Sequence, residues 1–358
     1  MSEEMVVRKI QFTGKSTYML SLPKKWVHEI NLKAGDPVTI IRKSDQTLSI
    51  LPNMVERDMS YNNEVTALML QEESGNSLKR KIISVYLSGH NIISLRSKTK
   101  TINAPQRDTV KEVVRRNLMG TEIIVDASDN ITIQILLSMP ELSINTAIQR
   151  MFLISTTMHN DAMISLREQN PDLAKMVIKS DDEVDRFSLY LLRNLVMAIQ
   201  NERMIHGIGL RNRSDCLSYQ VAVKNIERVA DHAASIADKS LMITSRISQG
   251  LFQQIDKMSN MSLALLTNAV DALLKRDYDL ADSLVDKVDA IRSIENEIIL
   301  SVDKERNTEE TNHKSSIANI KLILEDIRRT AEHASDIAEA AMNQTISQVI
   351  EKQGFEDK

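Results

Sequence analysis

Four carboxylates fall into two pairs spaced i and i+4, Asp181 with Asp185 and Glu227 with Asp231. On a helix that spacing places both side chains of a pair on one face. Asp185 is in phase with Leu189, Leu192, Val196 and Ile199, so its carboxylate is expected to lie along an apolar stripe. A charge there is costly unless it is paired or bound to a cation. Small residues around the second pair (Ala230, Ala233, Ala234) allow a neighbouring helix to approach closely. Two facing helices, each offering an acid pair, would form a four-carboxylate site whose repulsion multivalent cations relieve. Such oxygen-only ligation suits a structural zinc site poorly. The alternative is neutralisation by nearby bases such as Arg186 and Arg228, without metal.

The same pattern recurs about a hundred residues on. Val288-Asp289 echoes Val184-Asp185, and Arg329-Thr330-Ala331-Glu332-His333-Ala334 echoes Arg228-Val229-Ala230-Asp231-His232-Ala233. One three-helix unit is therefore expected to occur twice. In the second copy Val285 stands where Asp181 did and Arg328 where Glu227 did, leaving Asp289 and Glu332. Arg328 is expected to pair with Asp289 or Glu332, turning the second cluster into a salt-bridged core and making metal there improbable. His232 and His333 are expected to be satisfied helix residues rather than ligands, and Cys216 a plain buried or boundary residue.

The elements that must position these groups are legible in the composition. After Pro171 the chain has no proline, and only Gly207, Gly209, Gly250 and Gly354 among its glycines. That favours long helices and argues against a β-rich C-terminal half. Phe, Trp and Tyr make up 3% of the chain while methionines number 18. The cores must therefore be filled by Leu, Ile, Val, Ala and Met. A single cysteine excludes an intrachain disulfide and a thiolate metal cluster. The start MSEEMVVRKI lacks an apolar signal core, and no stretch reaches the roughly 18 apolar residues of a membrane span. The expectation is a cytoplasmic protein with no membrane insertion.

The net charge of −4 hides a polarity. Residues 1–52 carry eight Lys/Arg against five acids, and residues 53–145 eleven of each, so the excess of acids lies in the remainder. A basic head points to an anionic partner. That head reads as β-β-α-β-β: alternating VVRKIQF and STYMLSL, a helix opened by Pro23 with Trp26, Val27 and Ile30 on one face, then PVTIIRK and TLSIL after Gly35-Asp36. A unit of about fifty residues buries too little surface to be secure alone, so it should pair with a copy of itself or lean on the rest of the chain. Between head and tail, residues 54–80 look helical around Val65, Leu68, Met69 and Glu72, with Gly75-Asn76-Ser77 as an interruption. From Lys81 the pattern changes. Residues 108–118 have helical spacing with a stop at Gly120, and 122–126 with 130–135 read as a hairpin. The segment has no glycine-rich phosphate loop, Ser-His-Asp order or His/Cys ligand spacing. Arg115-Arg116 could bind an anion, but reads first as a solvated helix end.

Two resemblances organise these observations. Gly14-Lys15-Ser16, Leu20-Ser21-Leu22-Pro23-Lys24-Lys25-Trp26 and Leu32-Lys33-Ala34-Gly35-Asp36-Pro37-Val38 resemble the AbrB/SpoVT/MazE swapped-hairpin family in its archaeal form. That resemblance implies a homodimer through interleaved hairpins and contact with DNA by Arg8, Lys15, Lys24 and Lys25. The duplicated bundle, with acids spaced i and i+4 on its second helix and Glu227-Arg228…Asp231-His232-Ala233…Ile236-Ala237 on its third, resembles the PhoU family of phosphate-uptake regulators. It implies a multinuclear iron, zinc or nickel cluster at Asp181, Asp185, Glu227 and Asp231, in the first repeat only, and docking to phosphate-transport or sensor-kinase components.

The expected architecture is multidomain. A small β-rich swapped-hairpin domain spans 1–52, a small α/β connector 53–140, and an all-α half follows as two tandem three-helix bundles, 141–247 and 248–350. The leading function is a DNA-binding transcriptional regulator of phosphate uptake. The alternative is an adaptor that regulates a transporter or sensor kinase by contact, its head serving only dimerisation. A di-iron enzyme ranks last, because bundle di-iron sites need Glu-x-x-His on two helices. The one such motif, Glu310-Thr311-Asn312-His313, reads as a polar loop, and no catalytic residue is assigned.

Overall fold

The computed structural model describes residues 6–14, 17–42, 47–52, 64–99, 101–136, 143–244, 246–304 and 311–350. The chain divides into two compact units, residues 1–62 and 63–358.

The first unit has the expected element order. Strands β1 (Gln11–Thr13) and β2 (Thr17–Met19) pair antiparallel, helix α1 (Lys24–Glu29) follows, and β3 (Val38–Arg42) and β4 (Leu48–Pro52) pair antiparallel. Pro23 stands at the N-cap of α1 rather than inside its first turn. The Gly35-Asp36 motif closes a tight turn: Gly35 adopts φ +95°, and the Lys33 amide donates to Asp36 Oδ2 at 2.7 Å. A φ in that region suits glycine because no Cβ collides with the backbone. The hairpin leaves Phe12 and Tyr18 exposed, with ring centroids 5.0 Å apart.

The second unit opens with a four-stranded sheet. β5 (Glu64–Met69), helix α2 (Gly75–Leu87), β6 (Ile92–Ser97), helix α3 (Ala104–Arg116), β7 (Thr121–Asp126) and β8 (Asn130–Ile135) give strand order β5-β6-β8-β7, with β5 and β6 parallel and the other pairs antiparallel. The expected helix over 54–80 is thus corrected. Residues 64–69 are a strand, because Val65, Ala67 and Met69 alternate toward the core while the backbone pairs with Ile93, Leu95 and Ser97. Residues 53–63 lie outside the described residues. Gly75-Asn76-Ser77 is the first turn of α2, capped by Ser74, whose Oγ accepts from the Ser77 amide. Leu78, Ile82 and Tyr86, spaced four apart, are fully buried and carry KIISVYL along that helix.

The rest is helical: α4 (Ile144–Glu168), α5 (Pro171–Gln200), a short α6 (Glu202–Gly207), α7 (Asp215–Leu241), α8 (Gln249–Lys275), α9 (Tyr278–Val285), α10 (Lys287–Lys304) and α11 (Thr311–Thr345). Helix α5 begins at Pro171, ten residues before Asp181. Asn170 caps it by accepting from the amides of Asp172 and Leu173, and the fixed φ of proline suits a helix's first turn. The duplication is visible in the caps. Ser143 and Ser248 open α4 and α8, the left-handed Gln169 and Arg276 close them, and Asn170 and Asp277 open the next helices. The second helix of the second repeat is divided, α9 ending at Val285 and α10 starting at Lys287. Thr311, Asn312 and His313 lie in the first turn of α11 rather than in a loop, and Glu310 is outside the described residues. Cys216 is buried at the start of α7. Among the described residues no helix is long and apolar enough to cross a membrane.

Helix α5 serves two cores. Val184, Ser188, Leu191, Leu195 and Ala198 are buried on its bundle side, whereas Leu189 packs against the core of the α/β domain. The apolar stripe anticipated through Leu189, Leu192, Val196 and Ile199 is therefore displaced by one residue, about 100° of helix rotation. Leu192, Val196 and Leu189 are half-buried and Ile199 is 44% exposed. Asp185 consequently sits on the shoulder of the core, not in its line.

Candidate functional site

Both acid pairs lie on packed helices, Asp181 and Asp185 on α5 and Glu227 and Asp231 on α7. The fully buried Ala230 and Ala233 keep the third helix slim at that level. Asp181, Asp185 and Glu227 are half-buried, and Asp231 stands at the exposed rim.

The four acids sense one another. Burial, reinforced by the charges of Asp231 and Asp185, pushes Asp181 up to about 7. Burial and the charge of Glu227 push Asp185 up to about 6. Asp231 is raised by burial and by Glu227. Among the described residues, Lys224 is the one base that engages the quartet directly, its Nζ donating to Glu227 at 2.7 and 2.8 Å. Neither Arg186 nor Arg228 forms an ion pair with these acids among the described residues, so the metal-free neutralisation is at most partial. Asp181 Oδ1 is buried without a hydrogen-bond partner among the described residues. The donor chemistry and this orphaned oxygen fit an oxygen-preferring cation. Among the described residues, however, no three His, Cys, Asp or Glu side chains converge closely enough to hold a metal ion, so the acids as placed do not close around one.

The corresponding place in the second repeat is a network of ion pairs. Arg328 bonds Glu332 at 2.5 Å and Glu295 at 2.8 Å. Asp289 is bridged by Arg292 at 3.1 Å, and the same guanidinium reaches Glu332 at 2.9 Å. Against the opposing effect of its burial, Arg292, Arg328 and Arg329 hold Glu332 below the usual carboxylate range. Of the two partners expected for Arg328, Glu332 is the one taken.

In the head, Arg8 and Lys25 line one groove of about 930 Å³, bordered by Trp26, Leu20 and Ile50. Lys24 is exposed in the first turn of α1 but does not line that groove. Lys15 lies outside the described residues.

A histidine pair at the contact between repeats was legible only as two satisfied helix residues. His232 Nδ1 lies 2.9 Å from Asp326 Oδ1, His333 Nδ1 lies 2.8 Å from Asn225 Oδ1, and the two Nε2 atoms lie 3.3 Å apart. Asn225 and Asp326 hold the same place in their repeats, the spacing that also relates the two histidines, and that shared offset was the available signal. Arg193, which docks the α/β domain onto α5, had no sequence signal: an arginine in a helix reads as solvated.

Comparison with known proteins agrees with this architecture. The PhoU domain profile matches residues 148–240 and 255–341. A second profile, antidote-toxin recognition MazE, bacterial antitoxin, matches residues 11–57. A phosphate-specific transport system accessory protein PhoU homolog of Thermotoga maritima is 27% identical over 192 residues, covering 53% of this chain and 79% of that protein. The homolog of Aquifex aeolicus is 27% identical over 166 residues, covering 43% and 70%. The crystal structure of PhoU from Pseudomonas aeruginosa superposes with a TM-score of 0.51 at 19% identity, over 57% of this chain and 96% of that one.

Proposed function

This chain belongs to the PhoU family, and from that premise we propose that it is a DNA-binding transcriptional regulator of phosphate uptake, acting in the cytoplasm. The observation that carries the reading is the joining of a MazE-type head to two PhoU repeats in one chain. The relatives are accessory proteins of phosphate-specific transport, so the helical body supports a phosphate-linked role. The head supports DNA contact through Arg8 and Lys25, which share a groove, together with Lys24 and Lys15. Phosphate contacts by several such bases produce steep salt dependence.

Exposed Phe12, Tyr18, Ile40 and Leu48 leave the head with more apolar surface than so small a unit covers by itself. A second copy of the chain buries it in this reading, doubling the basic charge presented to DNA. Asp181, Asp185, Glu227 and Asp231 are the proposed metal ligands, for iron, zinc or nickel, and the second repeat, occupied by arginines, is assigned none. The role is regulatory, with no catalytic step.

An electrophoretic shift with promoter DNA of phosphate-transport genes tests the reading. Binding should fall at least tenfold in Lys24→Ala/Lys25→Ala and decline with added salt; unchanged binding in the variant removes those residues from the role. The small excess of three positive charges in residues 1–52 favours a second reading, an adaptor that docks on a transporter or sensor kinase while its head only dimerises. A chain lacking residues 1–52 that is monomeric yet still regulates would establish it.

A further inference from the structure

Where helix α5 runs past the C-terminal end of α3, a cleft of about 660 Å³ opens between the α/β domain and the first bundle. Four bases line it, Arg115 and Arg116 from α3 and Lys179 and Arg186 from α5, against two acids, Asp182 and Glu183. The cleft therefore carries a net charge of +2.

How the bases are held matters more than their number. The spacings of Lys179 to Glu183 and of Asp182 to Arg186 each offer an i,i+4 pair within α5, yet neither pair forms among the described residues. Arg116 takes Glu112 on its own helix at 3.2 Å, while Arg115, Lys179 and Arg186 form no ion pair among the described residues. Arg186 is the informative one, because its Nε is buried and lacks a hydrogen-bond partner among the described residues. The dipole at the end of α3 accounts for bases at Arg115 and Arg116. It does not account for Arg186, in the middle of another helix, with a buried donor left over. Buried donors in folded proteins are nearly always satisfied, so one that is not calls for an acceptor from outside the chain.

We propose that this cleft binds a phosphate group, with the Arg186 and Arg115 guanidinium groups as fork-shaped donors and Lys179 as a point charge. The phosphate comes either as the free ion or as part of a nucleotide. Met119, Met176 and Phe187 give the cleft an apolar wall on which a base can lie, and its volume is that of a small-molecule site. Because its walls come from both the α/β domain and α5, a ligand here bridges the two. None of the four quartet acids and no residue of the head lines the cleft, so the inference stands or falls independently of metal binding and of DNA binding.

Calorimetric titration of the full-length protein with inorganic phosphate, and separately with ATP, at fixed ionic strength tests it. Saturable binding of at least one of them is expected, weakened tenfold or more by Arg186→Gln and by Arg115→Gln, and unchanged by Asp289→Asn in the second repeat. Tighter binding of ATP identifies the nucleotide as the source, and binding of phosphate alone identifies the free ion. Arg115 is exposed, so its variant remains informative if Arg186→Gln fails to fold. No saturable binding of either ligand into the millimolar range, or equal affinity in the Arg115→Gln chain and the parent, overturns the proposal.

Discussion

His232 and His333 stack across the contact between α7 and α11, ring centroids 5.3 Å apart and Nε2 facing Nε2 at 3.3 Å. The Asn225 amide donates its Nδ2 to the Val221 carbonyl, which turns its Oδ1 toward His333 and makes His333 Nδ1 a donor. Asp326, a carboxylate, makes His232 Nδ1 a donor as well. Each ring then presents Nε2 to the other. Burial, and the charge of His232, lower His333 to about 4. The equivalent places in the two repeats thus hold different residues, Asn225 and Asp326, each facing the Nδ1 of one histidine.

Asp326 is the keystone of that chain, because Lys239 also bonds it, at 2.6 Å. Asp326→Asn keeps the shape but removes the charge that both bases face. It should lower the unfolding free energy by about 2 kcal/mol at pH 7, as expected for losing charge-assisted hydrogen bonds at a largely buried site. Urea unfolding measures this, and a loss below about 0.5 kcal/mol would show that the network contributes little.

Asp181 and the buried His159 push stability in opposite directions with pH. Asp181 rises from 3.8 to about 7 on folding, so the native state binds more protons across that interval and stability falls as pH rises through it. His159, fully buried with Nε2 2.8 Å from Ser259 Oγ, drops from 6.5 to about 4, so its contribution is lost as pH falls through that window. The two trends mask each other between pH 4 and 6.5. Asp181→Asn separates them: its advantage over the parent should be absent at pH 4, grow through pH 7 and reach about 1 kcal/mol, allowing for solvent screening of a half-exposed site. Melting temperatures of both chains from pH 4 to 8 check this, and a difference independent of pH would contradict it.

The legible part of the molecule was the part with a repeating signal. The acid pairs, the echo of Asp231-His232-Ala233 in Glu332-His333-Ala334 and the absence of proline after Pro171 prescribed the helices and the placement of Asp181, Asp185, Glu227 and Asp231 on facing ones. Strand β5 was misread because the five residues Val65-x-Ala67-x-Met69 satisfy a strand and a helix face equally well, and only parallel pairing with β6 decides between them. The stripe on α5 was read one residue off because that helix is apolar toward two cores, and a single periodicity fitted to both lies between them. The histidine chain depends on which side chains meet across an interface, and spacing within one helix carries no record of that.

Asp215 and Arg276 tie the two repeats together at their opposite end. The guanidinium forks onto the carboxylate at 3.0 and 3.1 Å, and the Arg211 amide donates to the same group at 2.9 Å. Asp215 is 1% exposed, so removing it strands a mostly buried guanidinium. Asp215→Ala should cost about 3–5 kcal/mol. Chemical unfolding measures the loss, and the double variant Asp215→Ala/Arg276→Met should recover part of it, since no unpaired charge then remains.

Arg193 does for the α/β domain what Asp215 does for the repeats. Its side chain leaves α5 and donates to the carbonyls of Tyr86, Gly89 and His90 and to Asn91 Oδ1, with the guanidinium 4.9 Å from the Tyr86 ring centroid. Helix α2 ends at Leu87, so this arginine caps carbonyls that a helix terminus leaves without intrahelical partners. Arg193→Met preserves the apolar stem and removes every donor. It should destabilise the fold by about 3 kcal/mol, because several buried acceptors lose their partner at once. Arg193→Lys should recover only part of the loss, since three donors on one nitrogen cannot reproduce the fork. Hydrogen exchange distinguishes a broken dock from general loosening: amides of α2 and β6 should exchange faster while those of α8 and α11 keep their protection. Equal acceleration in both regions would mean that Arg193 stabilises the whole unit rather than this junction.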